Sequence, residues 1–287
     1  MKSTYLASAA VLLGLATSLT ARPMLPVVDD NKIISSLADG LGKLVDAGKV
    51  PTAKTLAPQL KKKTCKITVP SPSTQKPENL YDSCADSVVA IASVYKCTKC
   101  PHWHHNGAAT GWILTEDGVM VTNYHVFDGK DVSGFGIRTR DGRIAQVVEI
   151  LAASQKDDVA IFRVAGEGFK PLALGPDARV GDDLHIIAHP DTRFYTYTSG
   201  KVSRYYKKRS RKRNGATAMA VTAEFARGSS GGPALDSKGN VVGMVSSTQS
   251  IYYPSQKKSE AKGPFQMVIR NCVPVSAIRA LVEPVAK

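Results

Sequence analysis

A chain of 287 residues, 43% hydrophobic and 22% charged, carries enough apolar material for a real core, which excludes a protein disordered throughout. Lys and Arg outnumber Asp and Glu by 38 to 24, a net charge of +14, which favours acidic surfaces or polyanions as neighbours without naming one.

The first element is a secretory signal over residues 1–21. Lys2 gives a short basic start, Leu6 to Leu15 is mostly apolar, and small residues follow, with cleavage expected after Ser18 or Ala21. Ser8, Gly14, Thr17 and Ser18 interrupt the stretch, which is short for a membrane span, and no later segment is long and apolar enough to cross a bilayer. The mature chain is therefore expected to be secreted or periplasmic and to lose only the charge of Lys2.

Residues 22–78 have the composition of a pro-segment or tether. Ile33-Ile34, Leu37, Leu41 and Leu44-Val45 recur at helical spacing and predict one short amphipathic helix, and Val69 to Pro77 reads as a linker. From about residue 79 to 287 the pattern changes to short β-type runs divided by turns, the mark of an all-β sandwich or barrel. Gly111–Thr115 and Val119–Thr122 flank Glu116-Asp117-Gly118, and Phe135–Thr139 and Ile144–Leu151 flank Asp141-Gly142. Asp183–Ile187, Thr217–Glu224, Gly232–Leu235 and Asn240–Ser246 follow. Pro274 to Val282 reads as a closing helix with Ser276 as its N-cap.

Within this frame Arg227-Gly228-Ser229-Ser230-Gly231-Gly232-Pro233 sets a serine in a glycine run between two strand-like segments. Acyl transfer needs a nucleophile on such a turn, with backbone N–H groups aimed at the carbonyl oxygen. A serine needs a base, and of six histidines (102, 104, 105, 125, 185 and 189) His125 follows the strand Val119–Thr122 and opens an irregular segment. A carboxylate must orient that imidazole, and Asp158 abuts the apolar strand that begins at Val159.

Together these pieces resemble the trypsin-like serine proteases and, among them, the Deg/HtrA branch, from about Leu80 to Val282. Gly111 to Val126 looks like that branch's histidine motif, Asp158-Val-Ala-Ile its aspartate motif and Gly228-Ser-Ser230-Gly-Gly-Pro its serine motif. Val180-Gly-Asp182, His189-Pro190 and Thr198-Ser-Gly-Lys-Val-Ser203 add ordered matches between them. The resemblance implies a double barrel of two six-stranded halves and a serine endopeptidase without metal or organic cofactor. Ser230 would be nucleophile, His125 base, Asp158 its orienting acid, and the amides of Gly228 and Ser230 the oxyanion hole. Ser246-Ser247-Thr248 would pair with protein or peptide substrates by strand addition. Counting back six from Ser230 reaches Glu224, where trypsin keeps the acid of its primary pocket. Against this, Phe225 could fill the pocket while Glu224 turns to a neighbour such as Arg227. Two departures stand out: position 229 is Ser where trypsin has Asp, and the expectation is of a branch member without a PDZ domain after the last helix.

Two features remain outside this scheme. Cys97-Thr-Lys-Cys100-Pro-His102-Trp-His104-His105 has zinc-like spacing, but export and the lack of a distant partner pair favour a disulfide or free thiols, with no metal. With Cys65, Cys84 and Cys272 the chain has five cysteines, enough for two disulfides and one left over. Residues 207–213 hold six basic residues in seven; a solvated hairpin loop is the simple reading. A catalytically silent module that holds polyanions through this loop is the rival to the enzyme.

Overall fold

The computed structural model describes residues 27–129, 131–209, 213–254 and 262–284. The expected signal at residues 1–21 lies outside them, as do residues 210–212 of the basic run.

In chain order the elements are α1 (Asp30–Asp46), α2 (Ala53–Leu56), β1 (Cys65–Lys66), α3 (Leu80–Cys84), β2 (Val88–Lys96), β3 (Trp103–Ile113) and β4 (Val119–Thr122). They continue with β5 (Gly134–Arg138), β6 (Ile144–Ser154), β7 (Val159–Val164), β8 (Asp183–Ala188), β9 (Thr196–Lys207) and β10 (Thr217–Val221). The last are β11 (Pro233–Leu235), β12 (Val241–Tyr252), β13 (Phe265–Pro274), α4 (Val275–Arg279) and β14 (Val282–Glu283).

Twelve of the strands close into two antiparallel barrels, in the order β2-β3-β4-β7-β6-β5 and β10-β13-β12-β11-β8-β9. The period-2 pattern explains why β2 is buried along most of its length. Val89 and Ile91 point into the first barrel with Met120, Phe135 and Ile137, whereas Ala90 and Ala92 point outward and pack with Ile33 and Leu37 of α1. Small outward side chains let the helix come close. Between the barrels runs a third layer of core, where Trp112, Val121 and Ile161 of the first meet Ile187, Met244 and Val273 of the second. The seam is built from fully or nearly fully buried side chains of both barrels.

The predicted helix is α1, capped by Asp29, whose carboxylate accepts from Lys32 N at 2.9 Å, and burying Ile33, Leu37 and Leu41. The stretch after it lies against the barrels: Leu56 and Leu60 join the first core, and Gln59 Oε1 accepts from Ile150 N at 2.8 Å. Ser73, in the predicted linker, exchanges two hydrogen bonds with the Asn240 side chain. The closing helix is shorter than expected. Strand β13 runs on to Pro274, which is itself the N-cap without a side-chain bond, and Val282–Glu283 pairs in parallel with Cys65–Lys66.

Among the described residues, which include every cysteine, there is no disulfide. Cys65, Cys84 and Cys272 are separate core residues, and burial pushes the Cys272 thiol up to about 12 and the other two to about 11. All five cysteines are free thiols, so the disulfides that their number allowed are not formed. No described helix is long and apolar enough to cross a membrane.

Candidate active site

His125 and Asp158 come from neighbouring strand ends of the first barrel. His125 lies just past β4 in a single turn of 3-10 helix over Tyr124–Val126, and Asp158 immediately precedes β7, which pairs with β4. Asp158 is fully buried and adopts a left-handed backbone (φ 63), a conformation that a non-glycine residue holds only where its surroundings impose it. They do so here: Asn123 Nδ2 donates to the Asp158 carbonyl at 2.9 Å, and His125 N donates to Oδ1 at 3.2 Å. The carboxylate then stands 3.0 Å from His125 Nδ1 through either oxygen. Its neighbour Asp157 has a different task, accepting from Ser154 Oγ at 2.8 Å to close the preceding turn.

Ser246 Oγ, the first residue of the expected substrate-pairing segment, donates to Asp158 Oδ2 at 2.8 Å and is itself buried. It therefore lies against the Asp158 carboxylate rather than at the open edge of its strand. Beyond it, Ser247 and Thr248 are progressively exposed. Strand β12 pairs with β11 only as far as Met244 but with β13 as far as Tyr252, so its other edge is free of strand partners over Ser246–Thr248 among the described residues.

Ser230 lies on the loop before β11 and is half-buried. Its loop is threaded against the first barrel, with Thr110 N donating to the Ser230 carbonyl at 2.9 Å and Thr110 Oγ1 to the Gly228 carbonyl at 2.9 Å. Only glycine fits at two points. Gly228 (φ 94) and Gly231 (φ 87) have left-handed backbones, and a Cβ there would meet His189 O at 2.4 Å and Thr110 O at 2.1 Å. The Gly228 and Ser230 amides have no protein acceptor among the described residues. Ser229 is fully buried with its hydroxyl unpartnered among them. His125, Gly228 and Ser230 line one cavity of about 160 Å³, walled on the other side by Ala92, Asn106 and Ala108.

Behind the serine loop His189 is fully buried. Desolvation drives its imidazole down to about 4, partly opposed by the backbone of Val89 and Ala188, and Nδ1 accepts from Tyr195 N at 3.0 Å. Asp191, Thr192 and Tyr195 in the same segment all have positive φ, and Asp191 N donates to Arg227 O at 2.5 Å. This support for the serine loop was readable only as the motif His189-Pro190.

The pocket residues fall elsewhere than expected. Glu224 is exposed and bonded to Arg270 at 2.8 Å, so its carboxylate neither sits at a pocket base nor turns to Arg227. The reason is register: Val221 of β10 opposes Arg270 of β13, which brings the guanidinium beside the residues that follow. Phe225 is buried in the second barrel's core with Leu184, Ile186 and Val221.

One site residue escaped the sequence reading. Arg213, at the base of the basic run, reaches inward and places its guanidinium 2.9 Å from Asp158 Oδ1 and 3.4 Å from Ser246 Oγ. Lys208 follows it partway, and burial pulls its ammonium below the ordinary value, with repulsion from Arg213 adding to the effect. Lys207 and Arg209 face solvent.

Two six-stranded antiparallel barrels meeting at a cleft that holds serine, histidine and aspartate are the fold of a trypsin-like peptidase. Residues 109–244 match the family model of the trypsin-like peptidase domain. Over 160 residues the chain is 29% identical to Protease Do-like 1, chloroplastic, of Arabidopsis thaliana, covering 53% of this chain and 35% of that one. It is 32% identical over 146 residues to a probable periplasmic serine endoprotease DegP-like of Halomonas elongata, covering 48% and 28%. Among solved structures, the HtrA-type protease AlgW with decapeptide superposes with a TM-score of 0.57 at 19% identity, over 71% of this chain and 65% of that one. Deg5 does so with a TM-score of 0.52 at 22% identity, over 70% and 89%. Over this region the chain is thus similar to trypsin-like peptidase domains, those of Deg/HtrA proteases among them. The matched region spans less than half the length of these curated relatives.

Proposed function

We propose that the chain is a serine endopeptidase working through an acyl-enzyme. The observation that carries this is the buried Asp158 carboxylate held 3.0 Å from His125 Nδ1, with His125, Ser230 and Gly228 around one cavity. In this reading the Asp158 carboxylate accepts a hydrogen bond from His125 Nδ1–H, which fixes the tautomer that leaves Nε2 free to take the proton of Ser230 Oγ. Oγ attacks the scissile carbonyl, and the oxyanion develops toward the free amides of Gly228 and Ser230, a pair of donors each worth about a hundredfold or more in rate. His125 then returns its proton to the leaving amine, and water repeats the sequence on the acyl-enzyme.

The substrate is proposed to be a protein or peptide segment that adds as a strand to the free edge of β12 at Ser246–Thr248. The AlgW structure is of a protease with a decapeptide. Export to a periplasmic or secreted location is supported by the composition of residues 1–21 and by relatives whose names are periplasmic or chloroplastic. The rival polyanion module draws less support, because Arg213 and Lys208 of the basic run are directed inward.

The test is covalent. A fluorophosphonate probe should label the purified protein at Ser230, and Ser230→Ala should abolish both labelling and peptide cleavage while the protein remains folded by circular dichroism. Persistent labelling in that variant would reject the assignment. Negligible titration of well-folded wild type, with salt-sensitive retention on heparin, would favour the polyanion module.

A further inference from the structure

The hairpin joining β2 to β3 lies outside the proposed triad, and it gathers three ligand atoms. Cys97 Sγ and Cys100 Sγ are 3.4 Å apart, and His104 Nε2 is 3.0 Å from Cys100 Sγ. All three atoms lie within 4.8 Å of one another, among half-buried side chains. The backbone explains the convergence. Cys-x-x-Cys turns both thiols to one side of the tight connection, and His104 re-enters on β3, where it opposes Tyr95 of β2. The Tyr95 ring stacks on the imidazole at 5.4 Å between centroids, which sets the plane of His104 and leaves Nε2 toward the thiols. His105 is engaged differently, its Nδ1 accepting from Gly107 N at 3.1 Å.

We propose that Cys97, Cys100 and His104 form a site for a divalent ion of the zinc class, with the fourth position open to water. Two thiolates and an imidazole are the donors such an ion prefers, and separations of this order suit ligands about 2.0–2.3 Å from a common centre. Binding is a balanced exchange: the ion enters as each cysteine thiol gives a proton to solvent, and the two thiolates neutralise the ion's charge. A disulfide would use the same two sulfurs but would leave His104 without a role. The hairpin is also tied to α1, since Asp46 accepts from Lys96 Nζ at 2.8 Å and from Trp103 Nε1 at 2.9 Å. Strand β3 then runs on to Gly107 and Ala108 in the wall of the catalytic cavity. The ion would clamp together the two strands that form this wall, outside the reaction itself.

The experiment uses the reduced, metal-stripped full chain, titrated with cobalt chloride and then zinc chloride under anaerobic conditions. The expected result is one cobalt per chain, a thiolate-to-cobalt charge-transfer band, the intense red d–d bands of a tetrahedral centre, and displacement by zinc. Calorimetry in buffers of different ionisation enthalpy should show proton release on binding. Because losing even an outer hydrogen-bond partner costs up to about 100-fold in affinity, Cys100→Ser and His104→Ala should each weaken binding by more than that. Both metal-free variants should unfold at the same temperature as metal-free wild type, which separates ligand loss from misfolding. No uptake by the reduced protein, an octahedral cobalt spectrum, or undiminished affinity in Cys100→Ser would each overturn the site. None of these readouts depends on Ser230, so the peptidase reading stands or falls separately.

Discussion

Both barrels close with six strands, yet they furnish the cleft in different ways. The first supplies His125 and Asp158 from the ends of paired strands β4 and β7, under a helix that seals the outer face of β2. The second supplies Ser230 from a loop, Ser246 from a strand with a free edge, and Arg213 from the tip of a hairpin. His125 and Asp158 thus stand at the ends of paired strands, whereas Ser230 and Arg213 are carried on loops and Ser246 on a strand edge. That division suits the proposed relay, in which His125 and Asp158 would stay aligned while a peptide enters and leaves.

The largest effect should follow from changing what the first barrel supplies. Asp158→Asn keeps the shape of the acid but presents an amide to Nδ1, which favours the wrong imidazole tautomer. Turnover on a peptide substrate should fall about ten-thousandfold with little change in KM. A loss under tenfold would show that Asp158 serves the fold alone.

The support of the second barrel's loop should be sensitive to acid. His189 has a folded value of about 4 against 6.5 for the free side chain, so the unfolded chain takes up a proton first as pH falls. Its contribution to stability is intact above pH 6.5, declines between 6.5 and about 4, and is then fully lost, a change of about 3 kcal/mol. Unfolding midpoints measured across this range should fall more steeply for wild type than for His189→Gln. Parallel curves would mean that another group governs the acid limb.

A smaller effect should come from Arg213, where the hairpin of the second barrel touches Asp158 of the first. On the proposed mechanism its guanidinium competes with the imidazolium of the transition state for the same Asp158 carboxylate. The cation is partly screened, so Arg213→Ala should raise kcat/KM by on the order of fivefold, equivalent to about 1 kcal/mol. A decrease would show instead that Arg213 holds the carboxylate in position.

What the residue order revealed and what it concealed divide along the same line. His125, Asp158 and Ser230 were legible because each stands at a fixed offset from a strand or within a glycine turn, and such local geometry is written in consecutive residues. The helix α1 was legible from its apolar spacing, though not its docking on β2, which depends on Ala90 and Ala92 having outward faces to cover. Strand β13 and the outer half of β12 escaped notice because their tips are solvent-exposed and carry no alternation of burial. Arg213 read as one cation among six, since only the fold of β9 onto β10 aims it at a carboxylate 55 positions earlier. His104 likewise joins the two thiols through a strand pairing that spacing alone does not reveal.

The smallest effect should be at Glu224, and its smallness is informative. If this acid set the primary pocket, Glu224→Ala would remove a buried charge partner for Lys or Arg and collapse any preference for them. In the structure the Glu224 side chain is 76% exposed and its partner Arg270 lies on the adjoining strand, an ion pair on the outer surface of the second barrel. Exposed pairs of this kind are worth at most about 1 kcal/mol, so the variant should unfold within a degree or two of wild type. Its ranking of residues before the cleaved bond, measured as kcat/KM on a library varied only at that position, should be unchanged. A selective loss of cleavage after Lys and Arg would return Glu224 to the pocket and require the loop after β10 to rearrange when substrate binds.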